Sequence, residues 1–313
     1  MKHSMVSTNG ITMHVTEYGE GPPVLFCHGF PDTWRGWRRQ IEAVGDAGFR
    51  AIAIDMRGFG RTSAPKDASQ YTPLHLVGDL VGLLDALGIE SITIVGHDFG
   101  AMTAWNAALM RPDRFAAVFG ISVVFRPRGD MSFLDLLRAA GRDDFYMFSQ
   151  IRPEADEEWA DAARTIPAAL YYTSGSPPPA DRWSPFDPKR KLSRAAPIDV
   201  PAWADPDDVA YTIAEFQRTG FHGGLNYYRA IQLGFELSAP FRNKKIHQPS
   251  YFLRGSVDGL KEVPGSAIEA LKEGLPGLRG SVELEGVGHW PQMEAPAATN
   301  EALLGFLRDL TKS

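Results

Sequence analysis

The sequence predicts an α/β protein whose mainly parallel sheet is interrupted by a long helical insertion. Strand and helix patterns alternate through residues 1–124 and again through residues 243–313. Residues 125–242, between them, contain helical patterns but no convincing strand. Strands separated by helices form parallel sheets covered on both faces. We therefore expect a core of residues 1–124 and 243–313, with residues 125–242 as a helical lid over the carboxyl ends of the strands.

Composition and charge are those of an ordinary globular protein. Of 313 residues, 44% are hydrophobic and 22% are charged, which allows a large core. The net charge of −6 lacks the positive surface that binds nucleic acid or anionic membranes, and no apolar run approaches the length of a membrane span. The single cysteine, Cys27, excludes an internal disulfide and a Cys-rich metal site. With no signal peptide at the N-terminus, a soluble cytoplasmic protein is expected.

The elements of the first core segment follow from hydrophobic periodicity. Short apolar or alternating runs predict strands, and the spacing of Trp34, Trp37, Ile41 and Val44 is typical of a helix face. The predicted elements are strand 11–17, strand 23–27, helix 34–47, strand 51–55, helix 74–87, strand 92–95, helix 102–110 and strand 116–123. The ten residues before them are interpreted as a tail.

The insertion and the last core segment are assigned in the same way. Helices are predicted at 206–218 and 224–233, after a stretch at 175–201 whose seven prolines indicate a long loop. The strand and helix pattern then resumes with segments 250–254, 266–272, 281–285 and 300–310.

The most informative motif is a sharp turn between a buried strand and a helix, Gly96-His97-Asp98-Phe99-Gly100. The glycines provide the small residues that such a turn needs, and its tip projects above the sheet near the positive end of the next helix. The tip residue is Asp98, where a serine would serve acyl transfer. A carboxylate suits displacement at an sp³ carbon, such as that of an epoxide or alkyl halide, with formation of an ester. Taken alone, the motif could equally be a turn with a helix-capping aspartate.

Two further loops supply partners for Asp98. A His-Gly-Phe-Pro loop follows the strand at 23–27, and the backbone N–H groups of Phe30 and Phe99 can form an oxyanion hole. A late Gly-Val-Gly-His-Trp loop carries His289, which is the one good candidate among eight histidines for a base that activates water.

An acid is needed to orient that imidazole. Asp258 follows the strand at 250–254 and is the preferred candidate, with Glu262 as a weaker rival. The chain order is then Asp98, Asp258, His289, which is the nucleophile, acid and histidine order of α/β-hydrolases.

Together these residues resemble the epoxide hydrolases of the α/β-hydrolase fold, over essentially the whole chain. His28-Gly-Phe-Pro and Asp55-x-Arg-Gly-x-Gly are shared widely across that fold, whereas Gly-His-Asp98-x-Gly and Gly-x-Gly-His289-Trp bear on the activity. The resemblance implies an eight-stranded, mostly parallel sheet with helices on both faces and an inserted helical lid.

The resemblance also implies roles for two lid tyrosines. The family's lid tyrosine falls on Tyr228 within a similar segment, and a second falls on Tyr146, where a shift of one residue would select Phe145 instead. The alternative is that these tyrosines are packing residues.

The implied activity needs no cofactor and no metal. An epoxide, as the small-molecule substrate, would be opened by Asp98 and released as a vicinal diol. Two alternatives stay open: a haloalkane or haloacid dehalogenase that uses the same nucleophile, and a non-catalytic binding module. Against a dehalogenase, the side chains of Phe30 and Phe99 have no hydrogen-bond donor for a halide or a carboxylate. Against a binding module, binding alone would not require His289. The sequence leaves the oligomeric state open, a homodimer included.

Overall fold

The computed structural model describes residues 1–198 and 200–312, and its strands form one sheet. The strands are β1 Lys2–Thr8, β2 Ile11–Tyr18, β3 Pro23–Cys27, β4 Arg50–Ile54, β5 Ile92–His97, β6 Phe115–Ile121, β7 Ser250–Gly255 and β8 Leu278–Leu284. Their order across the sheet is β1-β2-β4-β3-β5-β6-β7-β8. β1 and β2 are antiparallel to their neighbours, and the six strands from β4 to β8 run parallel, which confirms the predicted mostly parallel, eight-stranded sheet.

The N-terminal segment is a strand, so its interpretation as a tail is wrong. Lys2 lies opposite Glu17 and Thr8 lies opposite Ile11 in an antiparallel hairpin. Asn9 and Gly10 form the turn with φ of 41° and 77°. Asn-Gly between two extended runs is a strong hairpin signal. Hydrophobic periodicity does not identify this strand, because it is an edge strand whose side chains are mostly polar and exposed.

Helices cover both faces of the sheet, as expected. They are α1 Arg38–Asp46, α2 Pro73–Leu87, α3 Phe99–Met110, α4 Phe133–Ala139, α5 Met147–Gln150, α6 Ala155–Trp159, α7 Ala162–Thr173, α8 Pro206–Thr219, α9 His222–Arg229, α10 Ile231–Leu237, α11 Leu271–Gly274, α12 Pro291–Glu294 and α13 Pro296–Leu310. Short 3-10 turns occupy Trp34–Trp37, Ala68–Tyr71, Ala239–Phe241, Gly259–Glu262 and Ile268–Ala270.

The core is divided by the sheet into two apolar layers. Side chains of β3 alternate between them, because successive residues of a strand point to opposite faces. Phe26 joins a cluster with residues of α1 and α13, and Cys27 joins a cluster with residues of α2 and α3. None of the helices in the described part of the chain combines the length and apolarity needed to cross a bilayer.

Helices α4 to α10 all lie in residues 125–242, where the described residues contain no strand. Helix α9 packs directly on the loop that follows β4. A Cβ added to Gly223 would lie 2.3 Å from the carbonyl oxygen of Gly58, so glycine permits this close approach. The proline-rich stretch between α7 and α8 has neither helix nor strand among its described residues.

Candidate active site

The turn between β5 and α3 consists of Asp98 alone, since β5 ends at His97 and α3 begins at Phe99. Asp98 has φ of 53° and ψ of −120°, which is unusual for a residue other than glycine. A Cβ on Gly96 would lie 2.2 Å from the carbonyl oxygen of Gly100. The turn therefore requires small residues on both sides of Asp98, as the motif predicts.

The loop after β3 approaches the Asp98 side chain from the neighbouring strand. A Cβ on Gly29 would lie 2.3 Å from the Asp98 Cβ, so only glycine fits there. The backbone N–H of Phe30 donates a hydrogen bond of 2.9 Å to Oδ1 of Asp98. Phe99 is the first residue of α3, where an N–H has no carbonyl partner within the helix. The two amides expected to form the oxyanion hole therefore belong to residues next to this carboxylate.

The structure brings the His289 imidazole next to the carboxylates of both Asp258 and Asp98. Oδ2 of Asp258 lies 3.0 Å from Nδ1 of His289, and Nε2 of His289 lies 3.6 Å from Oδ2 of Asp98. All three side chains are buried. Glu262 instead accepts a hydrogen bond of 2.6 Å from the Ser184 hydroxyl. Asp258 is thus the carboxylate that holds the imidazole.

Charge coupling within this group sets its protonation state. Burial lowers the pKa of His289, but the Asp258 and Asp98 carboxylates outweigh it and raise that pKa to about 10. Burial raises the pKa of Asp98, and the hydrogen bond and charge of His289 outweigh it, so the pKa of Asp98 is below its ordinary value. At neutral pH the site therefore holds an imidazolium between two carboxylates, with Asp98 ionised.

Tyr146 and Tyr228 lie together beside Asp98. Their ring centroids are 6.1 Å apart with an interplanar angle of 85°. Tyr228 also packs its ring edge-on against Phe99, at a centroid distance of 4.7 Å. Burial raises the pKa of both phenols well above the ordinary value, and the charge of Asp98 adds to the shift. Both hydroxyl groups therefore keep their protons at neutral pH and can donate hydrogen bonds.

Other aromatic residues considered for this role have different partners. Phe145, one residue before Tyr146, packs with Leu134, Leu137 and Val263 and lines the larger of the cavities described below, but it does not line the small cavity beside His289. The Tyr227 hydroxyl donates a hydrogen bond of 2.9 Å to the carbonyl oxygen of Arg57.

Two cavities adjoin the Asp98 side chain. A cavity of about 20 Å³ is lined by Asp98, His289, Tyr146 and Tyr228 among others, and it has room for one water molecule. A larger cavity of about 250 Å³ is lined by Asp98 and mainly by apolar side chains, such as that of Met102. The site thus offers an apolar compartment for an organic molecule and a small one that the proposed nucleophile, the proposed base and both tyrosines line.

Glu294 is a site residue that the sequence did not indicate. Its carboxylate accepts backbone N–H groups from Gly288 at 3.0 Å, from Trp290 at 3.0 Å and from Gly175 at 2.8 Å. The first two flank His289 in the chain, and the third follows α7. Every residue except proline has a backbone N–H, so a contact made with backbone N–H groups leaves no motif in the sequence.

The main chain of His289 is held from two directions. Its N–H donates a hydrogen bond of 2.8 Å to the carbonyl oxygen of Thr173, the last residue of α7. Its carbonyl oxygen accepts hydrogen bonds of 2.7 Å from the His97 ring and 2.9 Å from the Ser122 hydroxyl. Trp290 adds a hydrogen bond of 2.6 Å from its indole N–H to the Thr173 hydroxyl. The imidazole is therefore positioned by both the sheet and the helical insertion.

Comparisons with known proteins agree with this architecture. A family model described as alpha/beta hydrolase fold matches residues 22–296. An epoxide hydrolase of Caballeronia sordidicola is 61% identical over 98% of this chain and 94% of its own length. The structure of epoxide hydrolase I from potato superposes with a TM-score of 0.87 at 35% identity, covering 98% of this chain and 99% of that chain.

A second solved structure, epoxide hydrolase A from Mycobacterium thermoresistibile, superposes with a TM-score of 0.88 at 38% identity, covering 98% of both chains. Each likeness therefore extends over the core and residues 125–242 alike. The fold, the aspartate at the turn and these full-length likenesses together place the chain in the epoxide hydrolase family of the α/β-hydrolase fold.

Proposed function

We propose that this enzyme hydrolyses an epoxide to a vicinal diol through a covalent ester on Asp98. The observation that carries the proposal is a buried carboxylate that lines one small cavity together with two protonated phenols and an imidazole. The relatives named above carry the same activity in their names. Small-molecule epoxides are therefore the substrate class, and no cofactor has a role in the proposed steps.

The first proposed step is alkylation. Ionised Asp98 attacks a ring carbon while Tyr146 and Tyr228 hydrogen-bond the epoxide oxygen. As the ring carbon–oxygen bond breaks, negative charge develops on that oxygen, and a phenol can deliver a proton to it. The imidazolium next to Asp98 is not needed as the acid, because the phenols line the same cavity.

The second proposed step is hydrolysis of the ester. Esterification removes the negative charge of Asp98, which is one of the two charges that raise the pKa of His289. The pKa of His289 then falls, so the imidazolium releases its proton, which restores the phenol that protonated the opened ring. The neutral imidazole can then take a proton from water. Water attacks the ester carbonyl, and the N–H groups of Phe30 and Phe99 stabilise the resulting oxyanion. Its collapse breaks the bond between the carbonyl carbon and the ester oxygen, which leaves in the diol with a proton from the imidazolium, and the new carboxyl group of Asp98 returns a proton to His289.

We also propose that residues 125–242 act as a lid domain on a core of residues 1–124 and 243–313. Support comes from their all-helical content and from Tyr146 and Tyr228, which they place against Asp98. We propose a cytoplasmic location as well, because the thiol of Cys27 is buried and unpaired, as suits a reducing compartment.

A dehalogenase is the second candidate that shares the nucleophile. Halide release in that chemistry calls for donors to a halide, and the side chains of Phe30 and Phe99 are hydrocarbon. The two phenols instead suit an oxygen leaving group that stays attached to the product. We therefore favour the epoxide.

Single-turnover experiments in oxygen-18 water test the proposal. With an epoxide, the first turnover is expected to label the carboxylate of Asp98, because the ester oxygen that enters the diol comes from the enzyme. His289→Gln is expected to accumulate an adduct of one substrate mass. Label in the diol at first turnover would contradict the covalent step. Halide release from a haloalkane without diol from any epoxide would favour the dehalogenase.

A further inference from the structure

The cavity that reaches Asp98 also contains a cation without a carboxylate partner. Arg126 lies just after β6 and lines the cavity of about 250 Å³ together with Asp98. It also lines an adjoining cavity of about 510 Å³, which shares Met102 and Phe133 with the first. The guanidinium is therefore on the wall of the compartment that would hold the body of an epoxide.

Arg126 is partly buried, and its contacts are with neutral groups. Its Nη2 donates a hydrogen bond of 2.8 Å to the Ser266 hydroxyl, and its guanidinium lies 4.6 Å from the centroid of the Phe133 ring. Within residues 1–198 and 200–312, no carboxylate lies within ion-pair distance of this guanidinium. Burial lowers the pKa of Arg126 to about 10, which still leaves it charged at neutral pH.

Other charges lining the two cavities do not neutralise it. The described carboxylates on their walls are Asp98 and Asp130, and Asp130 pairs with Arg242. Arg128 adds a second guanidinium to the same wall and donates to the carbonyl oxygens of Phe235 and Gly129, at 3.0 Å each. Asp130 is thus paired with Arg242 and Asp98 lies beside His289, which leaves the guanidinium groups of Arg126 and Arg128 without a carboxylate among the described lining residues.

A shielded cation without a counter-ion is costly unless an anion joins it. We propose that Arg126 binds a carboxylate carried by the substrate, so that the enzyme prefers epoxides with a carboxylate at the far end of an apolar body. This inference rests on the proposed function for the epoxide part of the substrate. Pairing at Arg126 would hold the apolar body along Met102 and Phe133 and bring the ring to Asp98.

A pair of substrates that differ only in charge tests the inference. We expect kcat/KM for an ω-epoxyalkanoate to exceed that for its amide by about tenfold or more, since a hydrogen-bonded charge pair in a shielded site contributes at least that factor. Arg126→Gln is expected to remove the preference and leave the amide within about twofold of the parent, and Arg126→Lys to restore part of it. The control Arg308→Gln, at an exposed position on α13, should retain the full preference.

Binding without chemistry separates this inference from the proposed function. Decanoate is expected to bind the parent enzyme more tightly than decanamide by about the same factor, and Arg126→Gln should equalise the two in isothermal titration. Equal binding of acid and amide by the parent would overturn the inference even if both epoxides are hydrolysed. Tighter binding of the acid would support it even if the epoxide assay failed. A loss of both ligands in Arg126→Gln, with the circular dichroism spectrum changed, would assign Arg126 to structure and also overturn the inference.

Discussion

The Nε2 atom of His289 lies 3.6 Å from Oδ2 of Asp98, so the charge of each group depends on that of the other. This relationship makes the first step of the proposed reaction the trigger of the second. While Asp98 is ionised, the imidazole keeps its proton, and after esterification the imidazole can release it. The Asp98 carboxylate would thus serve as the nucleophile and would also set the pKa of His289, the proposed base.

Asp98→Asn should therefore lower the pKa of His289 from about 10. Removing an anion beside an imidazolium destabilises the charged form, so the proton leaves at lower pH. Nuclear magnetic resonance titration of the imidazole measures the change directly. Glu262→Gln, which removes a carboxylate that does not contact the imidazole, serves as the control and should leave the pKa in place. An unchanged pKa in Asp98→Asn would contradict the coupling.

Tyr228→Phe should slow alkylation by roughly 10²-fold, within the range of general acid catalysis, and Tyr146→Phe should act similarly. The double variant should lose nearly all alkylation and still fold. Tyr227→Phe is the matched control, since its hydroxyl donates to the Arg57 carbonyl oxygen and not toward Asp98. Stopped-flow tryptophan fluorescence follows formation of the ester, with circular dichroism as the folding check. Alkylation at the parent rate in the double variant would assign both tyrosines to packing.

Glu294→Gln should impair ester hydrolysis more than alkylation. The carboxylate accepts N–H groups on both sides of His289, and an amide oxygen is a weaker acceptor with one oxygen instead of two. The free energy of unfolding should fall by about 2 kcal/mol, as for hydrogen bonds to a charged group. Urea unfolding and single-turnover decay of the ester measure the two effects. Glu301→Gln, at an exposed position on α13, should change neither.

Asp32→Asn should change how stability depends on pH. Asp32 is buried, and burial raises the pKa of its carboxyl from 3.8 to about 8. Between those values the folded state holds a proton that the unfolded state lacks, so parent stability falls as pH rises. The parent should lose about 2.7 kcal/mol relative to Asp32→Asn between pH 5 and pH 7, which is about 1.36 kcal/mol for each pH unit. Urea unfolding at both pH values measures this, and parallel pH profiles of the parent and Asp32→Asn would contradict it. The exposed Asp143→Asn control should behave as the parent does.

The proposed triad was accessible from sequence because each member follows a strand within a distinctive loop. Asp98, Asp258 and His289 come after β5, β7 and β8, and parallel strands deliver their carboxyl ends to one edge of the sheet. The choice between Tyr146 and Phe145 could not be made from local pattern, because both are aromatic and adjacent. What separates them is that Tyr146, and not Phe145, lines the small cavity shared by Asp98 and His289, and that depends on packing of the helical insertion.

Other features depended on three-dimensional context alone. Glu294 acts on backbone N–H groups, and Arg126 is notable for the carboxylate that does not approach it. Neither property can be predicted from a sequence motif. β1 is a different case. Its Asn-Gly turn is present in the sequence and predicts a hairpin, but the strand itself lacks the hydrophobic periodicity by which strands were assigned.

The contact of Thr173 with the His289 loop has a consequence for how the diol leaves. Thr173 accepts the His289 N–H and the Trp290 indole N–H, so α7 cannot separate from this loop without displacing His289. The two larger cavities are lined by Phe133 and Ile231, and no described residue of α7 borders them. We therefore expect the exit route to pass Phe133 and Ile231, leaving the loop that carries His289 undisturbed between turnovers. Larger side chains at Ile231 would then retard product release while the bond-making steps keep their rates.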